Sequence, residues 1–297
     1  MKTFTIFIFT LISMGVPTKA NPNDFQIIEF MKGVESHGGG MTIEEKSDLK
    51  FWVENDYHNN RYLEVWLAKQ GLDKALRTDI IDVLIDQIPQ LGWYNKTLDN
   101  FFIFNHLSKD DFNLNSTEKI RELMRDYLQT KRPIDFNSQK HLLLASIAGI
   151  PEAVEVAKMW APTEDKILGI SRFEFPSIVV LARSGDSIRA AQAIACMEDG
   201  KLKFQRYSWN FLPYTQSKDV FLYLRKVLET EQAPVITDPD VVHFFGSAAL
   251  NSLANMVDGL REYLAPNRFA LILDSQENIQ KALKWIDSKD SLIFRED

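Results

Sequence analysis

Three stretches of this 297-residue chain carry residue types that could do chemistry at a usable spacing. His37-Gly38-Gly39-Gly40 has the pattern of a loop whose glycine N–H groups face a developing oxyanion in acyl transfer. That reaction also needs a Gly-x-Ser-x-Gly elbow, and the chain has none; Gly246-Ser247 lacks the flanking residues. Three consecutive glycines read instead as a flexible linker. Ser116-Thr117-Glu118-Lys119 has the Ser-x-x-Lys spacing of penicillin-recognising enzymes, without their Ser-Asp-Asn and Lys-Thr-Gly companions. An Asn115-x-x-Glu118 capping box accounts for these residues without catalysis. Asp79, Asp82 and Asp86 share a helix face and could hold a hard cation, but an acidic stripe opposite an apolar one is the ordinary solvated face of an amphipathic helix.

The five histidines are His37, His58, His106, His141 and His243. None stands three or four residues from another, so no helix presents two imidazoles to one metal. No catalytic residue, metal or cofactor is therefore assigned. Cys196 lies among small apolar residues with no local base to lower its pKa, and reads as a buried, inert thiol. The binding candidates are aromatic. In Phe204 to Leu212 the apolar face is 204, 207, 208, 211 and 212, and Trp209 points off it beside Gln205 and Arg206. With Tyr214, Trp209 and Arg206 are expected to line a groove for a peptide or a sugar ring.

The elements that must position such a groove are helical. Residues 1–20 read as a secretory signal: Lys2, an uncharged run from Phe4 to Val16, then Pro17 and the small-residue site Thr18-Lys19-Ala20. Residues 21–41 are expected as a flexible lead ending in the glycine linker, and 42–297 as a helical domain with a sub-boundary near 131–137. The formal charge is −7, and loss of Lys2 and Lys19 takes it to −9. That balance excludes nucleic acid as a partner and any electrostatic grip on anionic membranes. With the signal gone, no membrane insertion is expected. A single cysteine in an exported chain fits a periplasmic or secreted location. Asn95-Lys96-Thr97 and Asn115-Ser116-Thr117 are glycosylation sequons that matter only in a eukaryotic secretory pathway.

Apolar residues at 80, 81, 84, 85 and 88, with acids at 79, 82 and 86, give the 3.6-residue period of an amphipathic helix. Residues 142–149 read as a helix closed by Gly149, and 151–160 as a second. The same layout returns at 176–185 and 186–197, its closing Gly185 36 residues later. A third copy is expected at 204–228, with Ile188, Ala191 and Ala195 mapping onto Val220, Tyr223 and Val227 at an offset of 32. Residues 275–287 read as a final helix. Over about 137–230, with Leu181-Ala-Arg-Ser-Gly-Asp186 as turn and helix start, the chain resembles HEAT-type (armadillo/HEAT) helical repeats. The resemblance implies an all-α, right-handed α-α superhelix of stacked antiparallel helix pairs. It implies a scaffold whose partner is a protein. The alternative is an enzyme or binding protein for envelope polysaccharide or peptidoglycan, with a glycan in an aromatic or acidic groove.

Overall fold

Short polar side chains set where the helices begin. The computed structural model describes residues 24–55, 66–67, 72–86, 107–171, 173–198, 206–230, 244–264, 276–289, 291 and 294. Thr42 and Glu45 cap each other ahead of α2 (Ile43–Asn55): Thr42 N donates to Glu45 Oε2 at 2.7 Å, and Glu45 N donates to Thr42 Oγ1 at 3.2 Å. Asp73 Oδ1 accepts from Ala75 N at 2.8 Å at the start of α3 (Lys74–Asp86). α4 (Leu114–Thr130) is capped by Asn113, whose Oδ1 accepts from Ser116 N at 2.9 Å. The capping pair expected at Asn115 and Glu118 thus lies two residues earlier, between Asn113 and Ser116. Asp135 and Ser138 make the same reciprocal cap for α5 (Phe136–Ile147).

The lead expected to be flexible is helical: α1 spans Asp24–His37 and buries Ile27 and Val34. The glycine stretch after it is a fixed turn. Gly38 and Gly39 have φ of +69° and +74°, and a Cβ on Gly40 would come within 2.5 Å of Asp79 Oδ2. Met41 N donates to that same oxygen at 2.7 Å, and His37 Nε2 meets Glu45 Oε1 at 3.0 Å. Residues 1–23, which carry the expected signal, lie outside the described residues.

From α5 to α8 the helices come as two pairs closed by one kind of turn. α5 leads to α6 (Glu152–Trp160) and α7 (Phe175–Arg183) to α8 (Ser187–Glu198). At the first turn Gly149 N donates to Ser146 O at 3.1 Å and Ile150 N to Ala145 O at 2.9 Å. At the second, 36 residues on, Gly185 N donates to Ala182 O at 3.0 Å and Asp186 N to Leu181 O at 3.2 Å. Both glycines are left-handed, at φ +69° and +99°. This double bond to the last carbonyls is the Schellman closure. A third turn follows α9 (Arg206–Phe211) and its 3-10 extension Leu212–Thr215: Gln216, at φ +49°, donates to Pro213 O before α10 (Lys218–Thr230).

That turn places the third copy at an offset of 31 from the second, not 32. Ala190, Gln192, Ala193, Cys196 and Met197 are buried, and so are their equivalents Phe221, Tyr223, Leu224, Val227 and Leu228. Ile188 and Ala191, expected on the inner stripe, are exposed. The polar Gln192 occupies the inner face because its amide is needed there, as described below.

Neighbours pack in two sets. α5 contacts α7, α7 contacts α9, and α9 contacts α11 (Phe244–Met256); α4 contacts α6, and α8 contacts α10. Sequence neighbours pack across the two sets. α11 also meets α12 (Leu260–Leu264) and α13 (Gln276–Asp287). The fold is all-α: among the described residues the extended pairing is one isolated bridge, Val257 to Phe294. No helix of the described residues is long and apolar enough to cross a membrane. At the expected sub-boundary near 131–137, Lys131 ends α4 at φ +46°, yet α4 packs on both α5 and α6 across it.

Candidate functional site

Trp209 and Tyr214 are brought close in the fold but not to a surface. Trp209 is 1% exposed, its ring stacked 6.4 Å from Tyr223 and tilted against Phe245 at 6.1 Å. Its carbonyl accepts from Ser252 Oγ of α11 at 2.9 Å. Tyr214 is 6% exposed, and its carbonyl accepts from Arg183 at 3.3 Å. Neither ring can receive a ligand, so the expected groove is corrected to core. The cause is the layering: α9 lies between α7 and α11, so it buries two faces rather than one. Arg206 is the first residue of α9, and its side chain lies outside what the structure describes.

The other sequence candidates are also absorbed into packing. Ser116 is fully buried; its hydroxyl contacts Asn113 O and Oδ1, while Lys119 pairs with Asp86. The three aspartates of α3 are partly exposed, and each has a partner on a neighbouring element. Asp79 takes Met41 N and Lys46 of α2, Asp82 takes the Asn113 amide, and Asp86 takes Lys119 of α4. Burial raises the Asp82 pKa, opposed by hydrogen bonds from Asn113 and Ser116. Arg77, one turn before, grips Asp111 with Nε and Nη2, both at 2.7 Å, and Leu67 O with Nη1 at 2.6 Å. The acidic helix is thus stitched to the elements on both sides. No group of three or more metal-ligating side chains occurs among the described residues. His58, His106, His243 and the sequon at Asn95 lie outside them.

One polar cluster was not foreseen. Ser138, Gln139, Lys140 and His141 of α5 are consecutive and all buried, Lys140 at 0% exposure. Four consecutive buried residues cover every side of a helix, so α5 is enclosed all round. At the equivalent places, 36 residues on, stand Glu174, Phe175, Pro176 and Ser177, so Gln139 and Lys140 have apolar counterparts. Tyr127 of α4 meets His141 Nδ1 through its hydroxyl at 2.6 Å, the rings 18° from parallel. Burial lowers the His141 pKa to about 4, against the pull of Asp135 and with help from Lys140 and Arg132. The imidazole is therefore neutral, and one hydrogen bond joins its Nδ1 to the Tyr127 hydroxyl. Burial likewise pushes the Tyr127 phenol well above its ordinary value. Trp160 closes the cluster, 5.2 Å from Tyr127, and its Nε1 donates to Arg132 O at 2.9 Å. Gln139 Oε1 has no hydrogen-bond partner among the described residues. A neutral imidazole locked by a phenol is a positional device: it fixes α4 against α5.

A second arrangement organises a loop. Gln192 Nε2 donates to Thr163 O and Lys166 O, both at 2.8 Å, and Arg189 donates to Pro162 O at 2.8 Å. Segment 161–171 is thereby held on α8, with Leu168 71% exposed. Cys196 is buried beneath it, as expected, its Sγ 4.0 Å from Ile167 O. At the C-terminal end Tyr263 and Trp285 form a surface aromatic pair. They stand 22 residues apart in different helices, so no local spacing announces them. Comparison with protein-family models, with curated proteins and with solved structures finds no match for this chain.

Proposed function

We propose that the chain is an exported interaction module, a HEAT-like right-handed α-α superhelix that holds a partner protein in the periplasm or outside the cell. The carrying observation is the turn repeated at Gly149 and Gly185, with Gln216 in the third place and matching buried positions on α8 and α10. A helix pair cannot cover its own apolar face, so neighbours stack and leave an extended outer surface for a partner. Apolar side chains stand on that outside: Leu168 at 71%, Ile188 at 55% and Leu222 at 48% exposure. The sequence pattern of residues 1–20 supports export.

Two measurements test this reading. Mass analysis of the protein from its native cell should give a chain beginning at Asn21; a retained Met1 to Ala20 would refute processing. Affinity capture should compare the wild-type chain with a Leu168→Asp, Leu222→Asp double variant of unchanged thermal melting. A protein retained by the first, lost by the second and able to capture the chain in reverse supports the scaffold. Identical recovery by both refutes this outer surface. Glycan recognition is the second reading, favoured by the aromatic pair of α12 and α13.

A further inference from the structure

Lys281, Trp285 and Lys289 recur at four-residue intervals through α13 and its final turn, and so fall on one face. Tyr263 of α12 stands beside that face, its ring centroid 6.2 Å from that of Trp285 and the planes 34° apart. Tyr263 is 49% exposed, unlike the rings of Trp209, Tyr214 and Tyr223, which the core absorbs. Trp285 packs one side on the core and leaves the rest partly accessible. Lys289 Nζ lies 4.6 Å from the Trp285 ring centroid. Lys281 sits close enough to Tyr263 to interact with it electrostatically, and pairs with Glu277 at 2.7 Å. Both members of that pair are exposed, so a bound carboxylate can replace Glu277 at little cost.

We propose that Tyr263, Trp285, Lys281 and Lys289 form a binding platform for an acidic glycan, a chain of pyranose rings bearing carboxylates. The chemistry of each part selects this class. A pyranose ring offers a face of C–H bonds with slight positive charge, which an aromatic face attracts through its quadrupole. A neutral sugar would use the rings alone. The Lys289 ammonium, over the indole face on an exposed side chain that can swing aside, and the Lys281 ammonium, freed from Glu277, add point charges for ring carboxylates to meet. An acidic peptide could satisfy the lysines, but it lacks the flat repeated C–H face that two adjacent rings match. This inference rests on the glycan reading and not on the protein-partner reading, which uses other residues.

Calorimetric titration of the purified chain tests it with three probes: trigalacturonate, neutral chitotriose and a triglutamate peptide. Saturable binding of trigalacturonate is expected, at least tenfold tighter than either comparator. Tyr263→Ala and Lys289→Gln are exposed substitutions that keep the fold, checked by melting, and each should weaken binding at least tenfold. Three results overturn the proposal: no saturable binding of trigalacturonate, triglutamate binding as tightly as the glycan, or Tyr263→Ala binding unchanged. Equal affinity for chitotriose overturns the part given to the lysines.

Discussion

Mild acid will destabilise the packing of α4 on α5 through His141. In the folded chain this imidazole is buried and neutral, with a pKa of about 4, against an ordinary value of 6.5. The unfolded chain therefore binds the proton more tightly, and stability rises with pH across this window. The contribution is intact above pH 6.5, is lost as the pH falls from 6.5 towards 4, and changes no further below that. Each unit of difference is worth about 1.4 kcal/mol, so the full loss is about 3 kcal/mol and the part between pH 7 and pH 5 is about 2 kcal/mol. The assay is urea unfolding at both pH values for the wild type and for His141→Gln, whose amide can still donate to or accept from the Tyr127 hydroxyl. The variant starts less stable, but its loss between pH 7 and pH 5 should be smaller by about 2 kcal/mol. Parallel losses would refute the reasoning, because they would place the acid sensitivity elsewhere.

The remaining predictions concern packing and turns. Trp209→Ala should cost about 3–5 kcal/mol or abolish folding, since the ring is enclosed by Tyr223 and Phe245; an unchanged urea midpoint would reopen the groove. Arg77→Met alone should cost about 3–5 kcal/mol by stranding the buried Asp111 carboxylate, and adding Asp111→Leu should recover most of it; a double variant no better than the single would refute the pairing. Gly185→Ala, in open space at φ +99°, should cost about 1 kcal/mol in backbone conformation alone. Gly149→Ala should cost no more in the same unfolding measurement, because φ +69° is closer to the left-handed region that L-residues tolerate and the Lys109 side chain, 3.0 Å from the new Cβ, can move aside.

What the sequence showed of this fold was local. The helix over Lys74–Asp86 and the last helix carry their period openly, and Gly149 and Gly185 announce their turns because a left-handed residue is needed there. What it hid depended on partners distant in sequence. The face of α8 was misread by one residue in register because alanines fill both sides and Gln192, a polar residue, belongs inside to hold two loop carbonyls. The partners of Asp82 and Asp86 are hidden because Asn113, the cap of α4, and Lys119 of α4 stand 31 and 33 residues further on. Trp209 looked exposed because a one-faced helix was assumed where two layers enclose it. Tyr263 and Trp285 meet through the packing of α12 on α13, which no window of residues contains.

The packing of each helix on near neighbours along the chain also bears on how the protein reaches its fold. The main contacts of the described helices join elements at most three steps apart. Only short loops need close before a contact forms, which favours rapid folding. A pair such as α5 and α6 can assemble before α11 exists and serve as a template for the next. Growth can then follow the order in which residues emerge from a ribosome.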